Sequence, residues 1–156
     1  MTNTNDPAYV SDDTGVVLGT LITDQPLEPL AAAAYDDVMV ASMGACVTFN
    51  GVVRNHDGGQ RVRSLSYTSH PTAEAIMATV ADKVLDRHPD VRIWAAHRIG
   101  GIAIGETAFV VHVASAHRDA AFRACSDMAD TVKAEVPIWK EQELTDGSTE
   151  WVGIDT

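Results

Sequence analysis

The chain has 156 residues, 46% of them apolar, and a formal net charge of −11. That length fits one domain with a real core, and no apolar run approaches the ~20 residues of a membrane helix. The charge argues against general binding to nucleic acid or to anionic membranes. Its distribution says more: all eleven basic residues lie between Arg54 and Lys140, a segment that holds only ten of the twenty-two acids. An anionic ligand is therefore expected at the middle of the chain. The acidic flanks are open to the plainer reading that they keep the protein soluble.

The first residues, MTNTNDPAYVSDDTG, show neither the basic nor the apolar region of a secretory signal, which predicts a cytoplasmic protein. Residues 1–14 read as a disordered acidic tail and 15–156 as the folded domain. Val16–Thr23 is β-rich and predicts a strand. Residues 27–37 are alanine-rich and predict a short helix entered through Pro26 and Pro29. Residues 44–53 predict a second strand, with Gly51 marking a bulge or a close backbone approach. The loop 54–60 follows, and its Asp-Gly-Gly suits a hairpin into a strand over 61–68. Pro71 opens a helix to about residue 88, with Ala73, Ile76, Met77, Val80, Val84 and Leu85 on one stripe.

Residues 91–99 predict a strand that ends at a Gly100-Gly101 turn. Residues 107–114, TAFVVHVA, form the strongest strand signal. A helix is predicted over Arg118–Glu135, with Ser115 as a candidate cap and Pro137 as its stop. Its core stripe reads Ala121, Phe122, Cys125, Met128, Ala129 and Val132. Two strands, Ile138–Leu144 and 150–154, close the chain around the turn at Asp146-Gly147. Hairpin signals mixed with helices favour an α+β domain over a doubly wound parallel one.

Several residues are candidates for chemistry. His117-Arg118 stands at a strand-to-helix junction, where free N–H groups and a guanidinium fork suit phosphate or carboxylate. Lys133 falls at the border of the apolar arc near Phe122. It reads either as a partly desolvated lysine suited to proton transfer or as one that snorkels to solvent. Lys140, in PIWKE, has the plain alternative of a strand lysine paired with Glu141 or Glu143. Arg54 ends a strand beside a Gly-rich loop, where it grips an anion or lies on the surface. Arg98 can instead meet an acid such as Glu106. Cys46 and Cys125 read as small buried residues rather than nucleophiles, and the histidines and cysteines lack metal-site spacing.

FNGVVRNHDGG, HRIGGIAIGE, SAHRDAAF and VKAEVPIWKE, followed by a late Trp, together resemble the catalytic large subunit of molybdopterin synthase, the MoaE family. The likeness runs from about Gly44 to Val152, with a weaker fit from Val16. It implies an α/β-hammerhead-like mixed sheet with packed helices in a homodimer. Each subunit would bind a small ubiquitin-like sulfur carrier, giving a heterotetramer. It also implies a reaction: sulfur passes from the carrier's C-terminal Gly-Gly thiocarboxylate to cyclic pyranopterin monophosphate, forming the dithiolene of molybdopterin. By resemblance Lys133 and Lys140 are the catalytic lysines, Arg54, His117 and Arg118 line the substrate pocket, Phe49 is an aromatic beside it and Arg98 a weaker match. No metal or cofactor is implied, since the sulfur arrives on the partner. The chain departs from the pattern at Thr68 and His70, where many members carry an acid and an aromatic, and at Ala73, where a Met is frequent. Two other readings compete: a non-catalytic paralogue that dimerises and binds the carrier, and a thiol enzyme using Cys125 or Cys46.

Overall fold

A computed structural model of the chain describes residues 13–152. The predicted tail up to residue 12 and the end of the last predicted strand lie outside the described residues. In order, the elements are β1 (Val16–Thr23), α1 (Leu27–Val38), β2 (Ala45–Val52), β3 (His56–Asp57), β4 (Gln60–Ser69) and α2 (Ala73–Arg87), then β5 (Val91–Arg98), β6 (Gly100–Ile102), β7 (Thr107–Ser115), α3 (Arg118–Glu135), β8 (Ile138–Leu144) and β9 (Thr149–Val152). The class is α+β, as expected.

The strands divide between two sheets. The central one has the order β1-β5-β7-β2, with β1 parallel to β5 and the other pairs antiparallel. One face carries α2 and α3: Met77, Val80 and Val84, with Cys125, Met128 and Val132, pack on Ile93, Val111 and Val113. The other face carries α1, where Leu27 meets Ala96 and Val110, and Val38 meets Met43 and Ala114. Each fully buried side chain of this size contributes roughly 1.5–3 kcal/mol. Cover on both faces explains why β7 reads as a continuous apolar run rather than an alternating one; all nine of its residues are buried.

A charge lies inside this body. Arg92 of β5 is buried and donates to three backbone carbonyls, those of Val38 at 2.8 Å, Asp37 at 2.9 Å and Asp13 at 2.7 Å. Two of these close the last turn of α1, which has no basic residue of its own. The guanidinium thus satisfies orphan carbonyls and meets the negative end of the helix dipole. The third bond ties Asp13 to the sheet.

The second sheet runs β3-β4-β8-β9, with β6 added to β4. It differs from the expectation in two ways. The Asp-Gly-Gly hairpin forms, but within the loop itself: Asp57 faces Gln60 across Gly58 and Gly59, both at positive φ, as a two-residue hairpin turn requires. The preceding strand, β2, pairs with β7 in the other sheet. Gly100-Gly101 likewise joins β6 instead of forming an isolated turn. The bulge at Gly51 is present, with the register shifting between Gly51 and Val52. A Cβ at Gly51 would meet Phe109 Cβ and Phe49 Cε1 at 3.4 Å, an ordinary contact distance. β2 ends the strand order, which leaves its outer edge without a neighbour among the described residues.

Candidate functional site

Four of the cationic residues singled out in the sequence stand in two places, Arg54 and Lys140 beyond the C-terminal end of β2 and His117 and Arg118 beside its start. At its C-terminal end the chain passes through Val53 to Arg54 and the β3–β4 hairpin. β8 pairs along β4 and sets Lys140 opposite Tyr67, and Gln142 opposite Leu65. Lys140 Nζ lies 3.2 Å from Asp57 Oδ2, with its side chain 23% exposed. Gln142, wholly buried, donates to the same oxygen at 2.9 Å. Arg54 Nη2 reaches Asp57 Oδ1 at 3.5 Å. The partner of Lys140 is thus Asp57 and not Glu141 or Glu143. Register explains the correction: Glu141 and Glu143 alternate with Lys140 along the strand and project from the opposite face. The Gln142 hydrogen bond, with the Lys140 and Arg54 charges, holds the Asp57 carboxyl below its ordinary range.

An aromatic stack lies next to this cluster. The His97 ring meets Tyr67 edge-on at 4.8 Å and stacks on Phe109 at 5.4 Å. Burial pushes His97 down to about 4, so it is neutral at physiological pH and its Nδ1–H donates to the Arg98 carbonyl at 2.8 Å. Burial raises Tyr67, and the Asp57 charge adds to this. Arg98 is turned inward, 3.5 Å from Glu106. This is the structural pairing that the sequence had offered as the alternative to substrate contact. Phe49 is 40% exposed on β2 and packs edge-on against Phe109 at 5.8 Å.

The other end of β2 meets the start of α3. Gly44, Ala45, Ala116, His117, Arg118, Asp119 and Phe122 line an open cavity of about 650 Å³. A Cβ on Gly44 would fall 2.5 Å from the Ala116 carbonyl, so only glycine lets β2 start this close to the helix junction. His117 is the N-cap residue, in extended geometry and without a side-chain cap bond. Ser115 is not the cap either: its hydroxyl donates to the His117 carbonyl. The first N–H groups of α3 therefore remain available to an anion. His117 and Arg118 are exposed, and among the described residues Arg118 has no ion pair. Phe122 overturns its expected place in the core: it is 58% exposed and faces this cavity.

Lys133 also departs from expectation. It is exposed, so the single chain does not desolvate it, and it has no ion pair among the described residues. Fifteen residues of helix separate it from Arg118, about 22 Å at 1.5 Å per residue. One chain therefore brings Lys140 together with Arg54 but does not bring Lys133 to His117 and Arg118.

Both thiols are poor nucleophiles in this setting. Burial pushes Cys125 up to about 11 and also raises Cys46, which weakens the thiol-enzyme reading. No group of three or more metal-ligating side chains converges among the described residues, and no described helix is long and apolar enough to cross a membrane. The departures at Thr68 and His70 can also be located. Thr68 pairs with Trp139, on the sheet face opposite Lys140, and the His70 ring lies 6.5 Å from Trp139.

Comparison with known proteins gives a consistent result. A family model described as "MoaE protein" matches residues 22–135. The molybdopterin synthase catalytic subunit of Thermoplasma volcanium is 37% identical over 131 residues, which is 83% of this chain and 94% of that protein. The one from Nostoc is 37% identical over 130 residues, 82% of this chain and 76% of that one. The crystal structure of molybdopterin synthase from Staphylococcus aureus aligns with a TM-score of 0.77 at 30% identity, covering 85% of this chain and 95% of that chain.

Proposed function

Because the chain belongs to the MoaE protein family, we propose that it is the catalytic subunit of a molybdopterin synthase, a cytoplasmic sulfurtransferase. It takes sulfur from the C-terminal thiocarboxylate of a small ubiquitin-like carrier subunit and delivers it to cyclic pyranopterin monophosphate. The relatives' name, catalytic subunit, itself implies a second subunit. Each transfer forms one bond from sulfur to a pterin side-chain carbon and breaks the carrier's C–S bond, an oxygen displaced from the substrate or supplied by water leaving the carrier with a carboxylate.

The observation that carries this reading is charge placement. In a chain of net charge −11, Lys140 and Arg54 stand at one end of β2, and His117 and Arg118 open a cavity at the other. Both reactants are anions, and cationic side chains lower their mutual repulsion and hold them in register. His117, Arg118 and Arg54 hold the cyclic phosphate. Lys140 holds the carrier's tail or the developing oxyanion, and Lys133 transfers a proton or steadies charge near the reacting carbon.

The two cation sets lie too far apart to act together within one chain: β2 alone spans about 25 Å. A homodimer resolves this. A second copy running antiparallel along the free edge of β2 brings the Gly44 end of one chain beside the Arg54 end of the other. Exposed Phe49 and Val52 on that edge support such pairing. Each site then draws His117 and Arg118 from one copy, and Arg54 and Lys140 from its partner. With two carriers bound the assembly is a heterotetramer. The exposed Lys133 becomes desolvated only within that assembly. Thr68 and His70 lie on the far side of the sheet from Lys140, which favours the enzyme over the non-catalytic paralogue.

Reconstitution with a thiocarboxylated carrier and cyclic pyranopterin monophosphate, read as the fluorescent oxidised product, tests the reading. Lys133→Ala and Lys140→Ala are expected to abolish product while the fold survives; activity retained in both sinks the mechanism. Arg118→Ala mixed with Lys140→Ala tests the shared site. Exchange of subunits should restore up to about a quarter of wild-type activity, because mixed dimers place both changes in one of their two sites. No restoration in a mixture shown to contain mixed dimers would mean that each chain holds a complete site.

A further inference from the structure

Neither the sequence motifs nor the comparisons assign any part to Asp57. It sits on the two-residue strand β3, in a hairpin arm whose tip glycines have nothing within 4 Å of where a Cβ would project. β3 pairs with β4 at the sheet's edge, and the Asp57 side chain reaches past β4 to β8: it accepts from Lys140 and Gln142 on Oδ2 and meets Arg54 on Oδ1. Gln142 is the fixed point: it is wholly buried in β8, and its amide oxygen has no hydrogen-bond partner among the described residues. The carboxylate is thus the partner that orients the Gln142 amide, and through it the carboxylate itself is held.

We infer that Asp57 is a positioning residue, which sets the Lys140 ammonium and the Arg54 guanidinium for a singly charged anion. The inference deepens the sulfurtransferase reading and rests on it for its kinetic consequence. Two cations and one carboxylate leave one net positive charge, matched to a singly charged anion: the thiocarboxylate at Lys140 or the cyclic phosphate at Arg54. Without the carboxylate, two like charges repel and Lys140, on a flexible four-carbon stem, loses its fixed place. Asp57 contributes no atom to the reaction. It acts through Lys140, and its ionised state follows from the same three contacts.

The chain has three lysines, Lys83, Lys133 and Lys140, so trinitrobenzenesulfonate labelling followed by peptide mapping resolves each one. In the full-length protein, Lys140 should label slowly relative to the exposed Lys133. Asp57→Asn, which keeps the shape and removes the charge, should raise the Lys140-to-Lys133 labelling ratio about tenfold, and Asp57→Ala should do the same. In the reconstituted assay Asp57→Asn should lower kcat about tenfold without raising KM for the thiocarboxylated carrier, since a cation is freed to attract it. Labelling is done on the native fraction isolated by size exclusion, since unfolded chains expose every lysine; a mere loss of fold lowers the amount of that fraction and leaves its labelling ratio unchanged. An unchanged labelling ratio overturns the inference, and so does an unchanged kcat. Should wild-type protein show no turnover at all, the sulfurtransferase reading falls, while the labelling ratio still decides whether Asp57 holds Lys140.

Discussion

The two sheets of this protein are built on opposite principles. β7 is buried along all nine residues and β5 nearly so, with helices on both faces. Arg92, a charge buried within the central body, is satisfied by backbone carbonyls, while Arg98 at the end of β5 turns inward toward Glu106. The second sheet is half open, and its ion pairs join side chains that water still reaches. The central sheet supplies position and the second supplies charge, and each borrows from the other: Lys140 is placed by register with β4, while His117 and Arg118 are placed by the end of β7. Stability and activity should therefore separate under mutation.

Arg92→Met is expected to have the largest effect on stability. It takes the donor from the buried Val38 carbonyl and the part-buried Asp37 and Asp13 carbonyls and removes the C-terminal partner of α1, a loss of about 3–5 kcal/mol readable by urea unfolding. Activity per folded molecule should hold, and a stable variant would mean that water replaces the guanidinium without cost. His97 comes next and is read by pH. Its folded pKa is depressed to about 4, so between that value and about 6.5 the unfolded chain binds the proton more readily than the folded one. Stability is then full above about pH 6.5 and falls by roughly 3 kcal/mol as pH drops toward 4. In His97→Phe, which fills the same stack against Phe109, that slope should be absent. A wild-type curve flat over this range would contradict the burial argument.

Asp127 ranks third. Arg87 first, then Thr131 and His88, hold its carboxylate down to about 2. A depressed carboxyl contributes stability above its unfolded value and loses it as pH falls through the folded one. Asp127→Asn should therefore cost about 1–2 kcal/mol at pH 7, after discounting for partial exposure, and close to nothing below pH 2. Equal costs at both pH values would assign the effect to packing. Lys133→Ala should be the mildest for the fold, within about 0.5 kcal/mol, while removing turnover. A large loss of stability there would blur the division between the two regions.

Much of the central body was legible because its signals are local. Pro137 and the apolar period gave α3 its observed bounds, the run at β7 announced a strand, and Gly51 announced a bulge or a close approach, of which the register shift is the bulge. Lys133 and Lys140 could be named because the chain has only three lysines, and Arg54 and Arg118 because they stand at element ends within the family-like motifs. What was not legible depends on register. Asp57 and Lys140 are 83 positions apart, and only the pairing of β4 with β8 makes them neighbours. Phe122 shares a helical flank with Ala121 and Cys125, but at the helix start that flank looks into the cavity beside Gly44 instead of onto the sheet. Nor could hairpin chemistry at Asp-Gly-Gly reveal that β2 had already left for the other sheet.

The outer edge of β2, which has no neighbour among the described residues, has a thermodynamic consequence. A row of open backbone donors and acceptors, with Phe49 and Val52 beside it, is a ladder half finished. If a second copy completes it, folding and association share one free energy, and the melting midpoint rises with protein concentration by mass action. At high dilution the protein would then lose stability and its composite site together, so specific activity would fall faster than the number of molecules.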